Sequence, residues 1–415
     1  MSKFFPIKTE TACQLKWTWS TIYLHSGTTN SCHRVGLNDI DPDNFAQFHN
    51  TPKKLSDRQL MLAGKWPTGG CEYCEKIETA GGSSDRMFHL TIPNMSPPEL
   101  DADATAVAVT PRIVEVYFDN TCNMSCIYCW DGFSSQIQQE NIRFGRFEKD
   151  GMVIENRSKR HPDVAGMTEK FWHWLDKNYL TTRRLHILGG EPFYQQQFDH
   201  CLEFLSARSN PELEFNIVSN LMVAPKKFQE KILQIKQLVE QQKIARFDLT
   251  CSIDCWGQES EYIRSGLSLE RWRENFEFLV NEEWITLNVN QTISSLSIKS
   301  TPELMRYINE HRNKRPIGHY FMTINNRSQL NPDIFGGEFF DKDFENILSA
   351  MPDVTWQQKE ARKYMKGIQL QISKAQRNDQ EIHKLIVYLN ELDRRRGTDW
   401  CTTFPWLTEF KNYVV

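Results

Sequence analysis

Three cysteines fall within eight residues of the segment Asn120-Thr121-Cys122-Asn123-Met124-Ser125-Cys126-Ile127-Tyr128-Cys129-Trp130. A C-x3-C-x2-C loop of this kind offers three soft thiolate donors, enough to hold three irons of a cubane cluster and leave the fourth open. The same spacing also suits a structural zinc site that borrows a distant fourth ligand. The chain carries 11 cysteines, at 13, 32, 71, 74, 122, 126, 129, 201, 251, 255 and 401. An odd count in a reducing compartment argues for metal or redox chemistry over a disulfide framework.

Four of these cysteines form a second set near the N-terminus. Cys13, then Gly27, then Cys32 after four intervening residues, and the pair Cys71-x2-Cys74 could hold zinc or an iron–sulfur cluster equally well. Further along stand four short signals. Gly189-Gly190-Glu191-Pro192 combines glycines that let a ligand approach the backbone with a carboxylate able to accept from an ammonium group. Ser219-Asn220 and Ser252-Ile253-Asp254 each follow an apolar run, and strand alternation places Ser252 and Asp254 on one face. Arg264, ten residues past Asp254, supplies a guanidinium that can grip a carboxylate in two places.

The elements that must carry these residues are legible as alternating apolar runs. Strands are expected at 113–118, 185–188, 215–218, 247–253, 285–293 and 320–324, with helices between them at 168–178, 195–207, 226–242, 269–281 and 302–311. Six strand–helix alternations predict a parallel sheet with right-handed crossovers, whose chemistry sits at the C-terminal strand ends. Before it, residues 15–24 alternate as one arm of a hairpin, with Trp17 and Trp19 on its core face, and 55–63 reads as a helix. Residues 91–111, with Pro93, Pro97, Pro98 and Pro111, read as a linker. Beyond about 326 the strand signal stops; 355–376 and 380–396 look helical and charged, a C-terminal cover.

With these residues in place, the segment 112–325 resembles the radical S-adenosylmethionine (SAM) enzymes, through the C-x3-C-x2-C loop after the first strand and the GGEP after the second. The resemblance implies an α/β fold: a partial (β/α)6 TIM-type barrel with a small N-terminal cysteine-rich auxiliary-cluster module and a helical C-terminal segment. It implies boundaries at 1–105, 106–325 and 326–415. Cys122, Cys126 and Cys129 would bind a [4Fe–4S] cluster whose open iron chelates SAM. Tyr128 would contact the adenine, and Gly189, Gly190 and Glu191 the SAM amino end. Ser252 and Asp254 match the ribose-side element, and Arg264 the arginine that pairs with the SAM carboxylate in the peptide-modifying branch. Asn220 falls in that branch's Thr-Asn-Gly, which here reads Ser219-Asn220-Leu221.

The N-terminal set resembles the SPASM/twitch auxiliary-cluster module, with 50–71 looking like the helical stretch before its later cysteines. That implies a second, auxiliary [4Fe–4S] cluster on Cys13, Cys32, Cys71 and Cys74. In most relatives such a module follows the barrel, whereas here it precedes it. A zinc clip at these four cysteines, or a zinc-stabilised binding module with no enzymatic role, are the alternatives. The resemblance further implies a peptide or protein substrate, the rival being a small molecule or nucleotide, and an electron donor such as flavodoxin or ferredoxin.

Bulk composition narrows the rest. With 49 Lys+Arg against 53 Asp+Glu the net charge is −4, so no overall field recruits nucleic acid or anionic lipid. No stretch of about 18 apolar residues and no signal-peptide core occur, which predicts a soluble cytoplasmic protein with no membrane partner. Cys201 and Cys251 read as buried core thiols. Cys255 lies close to the expected SAM pocket and could take a substrate or redox role; Cys401 sits in an aromatic tail. Arg394-Arg395-Arg396 ends a helix, where cations favour the dipole. His33, beside Cys32, is expected at the surface or behind a ligand.

Overall fold

The computed structural model describes residues 5–93, 95–149, 152–153, 159–324 and 327–411. One nine-stranded sheet organises the chain. In chain order its strands are β1 (Trp19–Tyr23), β2 (Thr28–Asn30), β3 (Asn38–Asp39), β4 (Ile113–Tyr117), β5 (Arg184–Leu188), β6 (Glu214–Ser219), β7 (Arg246–Ser252), β8 (Ile285–Ile293) and β9 (Gly318–Thr323). Strands β4 to β9 are all parallel, and each lies beside the next in sequence. A sheet wound in one direction aligns all six C-terminal ends along a single rim.

Alternation decides which face is covered. Val114, Val116, Leu185, Ile187, Phe215, Ile217, Phe247, Leu249 and Cys251 share one face and enter the main apolar core. Onto it pack the helices α1 (Val164–Asn178), α2 (Gln196–Ala207), α3 (Pro225–Glu240), α4 (Leu269–Val280) and α5 (Thr301–Arg312). The opposite face is polar. Thr21, Glu115, His186, Asn216, Asp248 and Thr286 lie in register across six neighbouring strands. A doubly wound sheet would be apolar on both faces. Here the helices α1 to α5 all take the apolar face, while the polar face meets the N-terminal segment, where His89 packs edge-on against Trp19.

The N-terminal segment joins the same sheet. β1 pairs in parallel with β4, and β2 and β3 follow as an antiparallel edge. Residues 15–18, expected in the hairpin, instead form a helical turn, Gln14–Thr18, in which Thr18 Oγ1 donates to the Gln14 carbonyl. The strand starts only where Trp19 meets Ile113. Trp17 is therefore core of the N-terminal segment, not of a hairpin face. The proline-bearing stretch read as a linker is packed down: Trp17 Nε1 donates to the Ala106 carbonyl at 2.9 Å, and Asn50 Nδ2 to that of Val109 at 3.1 Å.

The C-terminal helices Asp341–Ala350, Trp356–Ile372 and Asp379–Arg396 form a second core with Ile127, Cys255, Ile263 and Phe321, and so lie against the cysteine loop. Among the described residues no helix is long and apolar enough to cross a membrane.

Candidate functional site

The C-x3-C-x2-C loop leaves the C-terminal end of β4 and is pinned by four other segments. Ser135 accepts from the Cys122 N–H at 3.1 Å and donates to the Cys122 carbonyl at 3.0 Å. Ser125 and Cys126 form a short antiparallel ribbon with Ser265 and Arg264, continued by the Ile127 N–H donating to the Ile263 carbonyl at 2.9 Å. Arg327 Nη2 donates to the Cys129 carbonyl at 2.7 Å, and the Tyr388 hydroxyl to that of Ile127 at 2.5 Å. Ser135, Arg327 and Tyr388 carry no motif of their own, and the sequence offers no local signal for them.

The GGEP turn after β5 docks directly on this loop. The Glu191 N–H donates to the Thr121 carbonyl at 2.8 Å. Gly190 has φ +52°, and a Cβ there would stand 2.0 Å from the same carbonyl oxygen, so only glycine permits the approach. Gly189 precedes it, against Tyr117. Glu191 is fully buried. Its carboxylate accepts from Ser219 Oγ at 2.9 Å and the Asn220 N–H at 2.7 Å, both at the end of β6. Burial nevertheless pushes its pKa up to about 7, against the pull of those hydrogen bonds and of Arg264. It is a carboxylate held in place and short of a cation.

Asn220 ties this group to the loop, donating through Nδ2 to Asn123 Oδ1 at 2.9 Å while its own Oδ1 accepts from the Met222 N–H at 2.8 Å. The next residue, Leu221, has φ +58° with its side chain in the core. The left-handed turn that glycine would make easily is thus kept with leucine.

At the end of β7, Ser252 is buried and its carbonyl accepts from Trp272 Nε1 at 3.2 Å. Asp254 lies two residues on. Its Oδ1 accepts from the Thr292 N–H at 3.0 Å and its Oδ2 from the Tyr128 hydroxyl at 2.7 Å. Arg264 Nη1 donates to that same hydroxyl at 2.5 Å and lies 3.6 Å from Asp254 Oδ2. Tyr128, Asp254 and Arg264, from three separate segments, are thus one cluster beside Cys126, with Asp254 and Arg264 buried and Tyr128 partly so. Arg264 Nε is buried without a hydrogen-bond partner.

The three thiols are suppressed as acids. Burial, with Cys126 and Cys129 nearby, pushes Cys122 well up; burial pushes Cys126 up against the pull of Arg264; burial and Cys126 push Cys129 up to about 12. Only a bound metal would hold all three as thiolates. Among the described residues no three His, Cys, Asp or Glu side chains gather as the ligands of one metal ion would. A cubane takes each thiolate at a different iron. Three sulfurs on one loop, an uncompensated carboxylate and an orphaned guanidinium N–H fit a cluster that presents an amino acid ligand.

Cys13, Cys32, Cys71 and Cys74, 61 positions apart in sequence, line one cavity of about 370 Å³, its open mouth included. Gly70 makes this possible: at φ +127° a Cβ would fall 2.2 Å from the Arg34 carbonyl oxygen, so the 71–74 turn closes on the loop after Cys32. Leu15, Val35, Met61 and Trp66 complete an apolar wall. Burial and the neighbouring Cys32 push Cys13 up to about 12.

His33 is half-exposed and turns away from this cavity to Glu115 of β4, Nε2 to Oε2 at 2.9 Å. Glu115 also receives Thr21 Oγ1 at 2.7 Å and His186 Nδ1 at 3.2 Å. Burial alone would raise Glu115, but the bonds from His186 and His33 hold it well below the usual carboxylate range. Sequence reading passed over Glu115, although a lone acid inside an apolar strand was a signal. Cys201 and Cys251 lie in the helix-facing core, Cys255 is buried in the C-terminal core, and Cys401 packs at that core's edge. Arg396 pairs with Glu140, and Arg394 and Arg395 with Glu391.

No family model matches the sequence, and no curated protein does. Solved structures with some likeness include native anSMEcpe with bound AdoMet, 14% identical with a TM-score of 0.36 over 63% of this chain and 63% of that chain. TYW1 with a lysine–pyruvate adduct bound is 14% identical, with a TM-score of 0.27 over 55% of this chain and 68% of that one. The chain thus spans less than two thirds of the length of the first of these. At such values the site's own residues must carry the functional reading.

Proposed function

We propose that this chain is a radical SAM enzyme whose catalytic cluster sits on Cys122, Cys126 and Cys129. One observation carries the reading: the three-cysteine loop ends β4, and the side chains that could hold an amino acid and a nucleoside converge on it from the ends of β5, β6 and β7. The one-directional strand order and the packing of all five crossover helices on the apolar face support a partial barrel with its polar face inward.

When bound, the [4Fe–4S] cluster supplies one electron to the SAM sulfonium, whose C–S bond breaks to methionine and a 5′-deoxyadenosyl radical. The chain's own residues do the rest. Glu191 accepts from the amino group of SAM, which gives its buried carboxylate the missing cation. Arg264 pairs with the SAM carboxylate through its free Nε, while Tyr128 and Asp254 fix its plane. Ser252 and Asp254 face the ribose. Tyr388 ties helix Asp379–Arg396 to the loop, where the helix would help keep solvent from a radical formed there. The polar row Glu115, His186, Asn216 and Asp248 faces the space in which a substrate would lie.

The same proposal takes the four N-terminal cysteines as ligands of an auxiliary [4Fe–4S] cluster in a twitch-like module. It takes a peptide or protein as substrate and a flavodoxin- or ferredoxin-type donor as reductant, in the cytoplasm. Anaerobic reconstitution with iron, sulfide, SAM and a strong reductant tests the core of it. The wild-type chain forms 5′-deoxyadenosine and Cys126→Ala forms none. Absence of that nucleoside from iron-replete wild type refutes the reading. Metal analysis separates an auxiliary cluster, about eight irons per chain, from a zinc clip, about four irons and one zinc.

A further inference from the structure

A buried lysine shares the cavity with the four N-terminal cysteines. Lys16 lines it, its side chain is 3% exposed, and its Nζ donates to Asp57 Oδ2 at 2.7 Å. Lys53 reaches the other carboxylate oxygen from the surface. Behind Lys16 lies a second buried cation, Arg58, whose Nε donates to the Lys16 carbonyl at 2.7 Å and whose remaining bonds go to neutral acceptors, the carbonyls of Val107 and His49 and the Asn50 side chain. Burying cations against one shared carboxylate is costly unless an anion stands nearby. Four thiolates around a metal core provide that anion.

The consequence is a redox one. Taking up one electron makes an iron–sulfur centre more negative by one charge, so a fixed cation in the same low-dielectric pocket stabilises the reduced state more than the oxidised state. We propose that Lys16 raises the reduction potential of the N-terminal centre, with Asp57 holding its ammonium in place and partly offsetting it. This rests on the reading of that centre as an iron–sulfur cluster. Neither residue is placed as a ligand; both act through charge.

The experiment is a potentiometric titration followed by electron paramagnetic resonance on the intact, reconstituted chain, reading the cluster signal that SAM does not perturb. Lys16→Gln should shift its midpoint to more negative potential at unchanged iron content, Lys16→Arg should restore the wild-type midpoint, and Asp57→Asn should shift it the opposite way. An unmoved midpoint in iron-replete Lys16→Gln overturns the inference while leaving the cluster standing. Should Lys16→Gln lose iron, Asp57→Asn decides, and an unmoved midpoint there overturns it equally. Zinc in place of the second cluster overturns the underlying reading and the inference with it.

Discussion

Glu191→Gln separates what this carboxylate costs the fold from what it does for a ligand. Its pKa stands at about 7 against an ordinary 4.5 because it is buried without a cation. At roughly 1.4 kcal/mol per pH unit this displacement is worth about 3 kcal/mol. Between pH 4.5 and 7 the folded chain keeps a proton that the unfolded chain has released, so stability falls as pH rises, and the loss is complete above pH 7. Glutamine carries no such proton. Its amide can keep the carbonyl on the Asn220 N–H and turn its NH2 toward Ser219, at a loss of about 1 kcal/mol. At pH 8, without SAM, the variant should therefore be about 2 kcal/mol more stable than wild type, and that gain should be gone at pH 5. SAM affinity should move the other way, weakening about tenfold or more at pH 8 through loss of a charge-assisted bond. Denaturant unfolding at the two pH values and SAM titration read these out. A stability difference that does not change with pH would refute the claim that an uncompensated charge is buried here.

Four further substitutions probe the geometry. Tyr128→Phe removes the hydroxyl between Arg264 and Asp254 and should cost about 2 kcal/mol in denaturant unfolding and about tenfold in SAM affinity; unchanged SAM binding would detach this cluster from the ligand. Gly190→Ala should destabilise by more than about 2 kcal/mol, because its Cβ meets the Thr121 carbonyl at a positive φ, whereas Gly367→Ala, in an open helical position, should stabilise by about 0.5–1 kcal/mol. Cys71→Ser should remove one whole metal centre by elemental analysis and leave substrate-free SAM cleavage running; loss of both centres would mean that the two sites fold as one.

Where the chain alternates strongly, the elements were legible. The strand expected at 285–293 is Ile285–Ile293 as found, and those expected at 215–218 and 247–253 differ from the observed strands by one residue at each end. These strands combine an apolar face with a polar one at period two, and nothing competes with that pattern. Residues 15–18 failed because alternation of Leu15 and Trp17 is equally compatible with one helical turn, and register with Ile113, ninety-odd positions away, chose between them. The stretch with four prolines looked like a linker because proline breaks elements; prolines say nothing about whether the chain lies flat against a neighbour, and here Arg58, Trp17 and Asn50 fasten it by its carbonyls. The site was legible as a set of short motifs but not as a contact map. Tyr128, Asp254 and Arg264 were each singled out for separate roles, and only the fold reveals that one hydroxyl joins all three.

Leu221 argues that the local backbone, not the residue type, is what this position requires. A leucine at φ +58° is strained by about 1 kcal/mol or more, and such strain persists only where the surroundings demand it. Here the demand is visible on both sides of the bond. The Asn220 N–H must reach Glu191 and the Leu221 N–H must reach Ser219 Oγ at 3.0 Å, while Asn275 Nδ2 holds the Leu221 carbonyl at 2.8 Å. A right-handed residue would turn at least one of these groups away and release Glu191 from the end of β6. The leucine side chain repays part of the strain by full burial in the core, worth roughly 1.5–3 kcal/mol. A glycine would relax the backbone and forfeit that burial, so the two solutions are close in energy and the sequence can depart from Thr-Asn-Gly without moving the carboxylate.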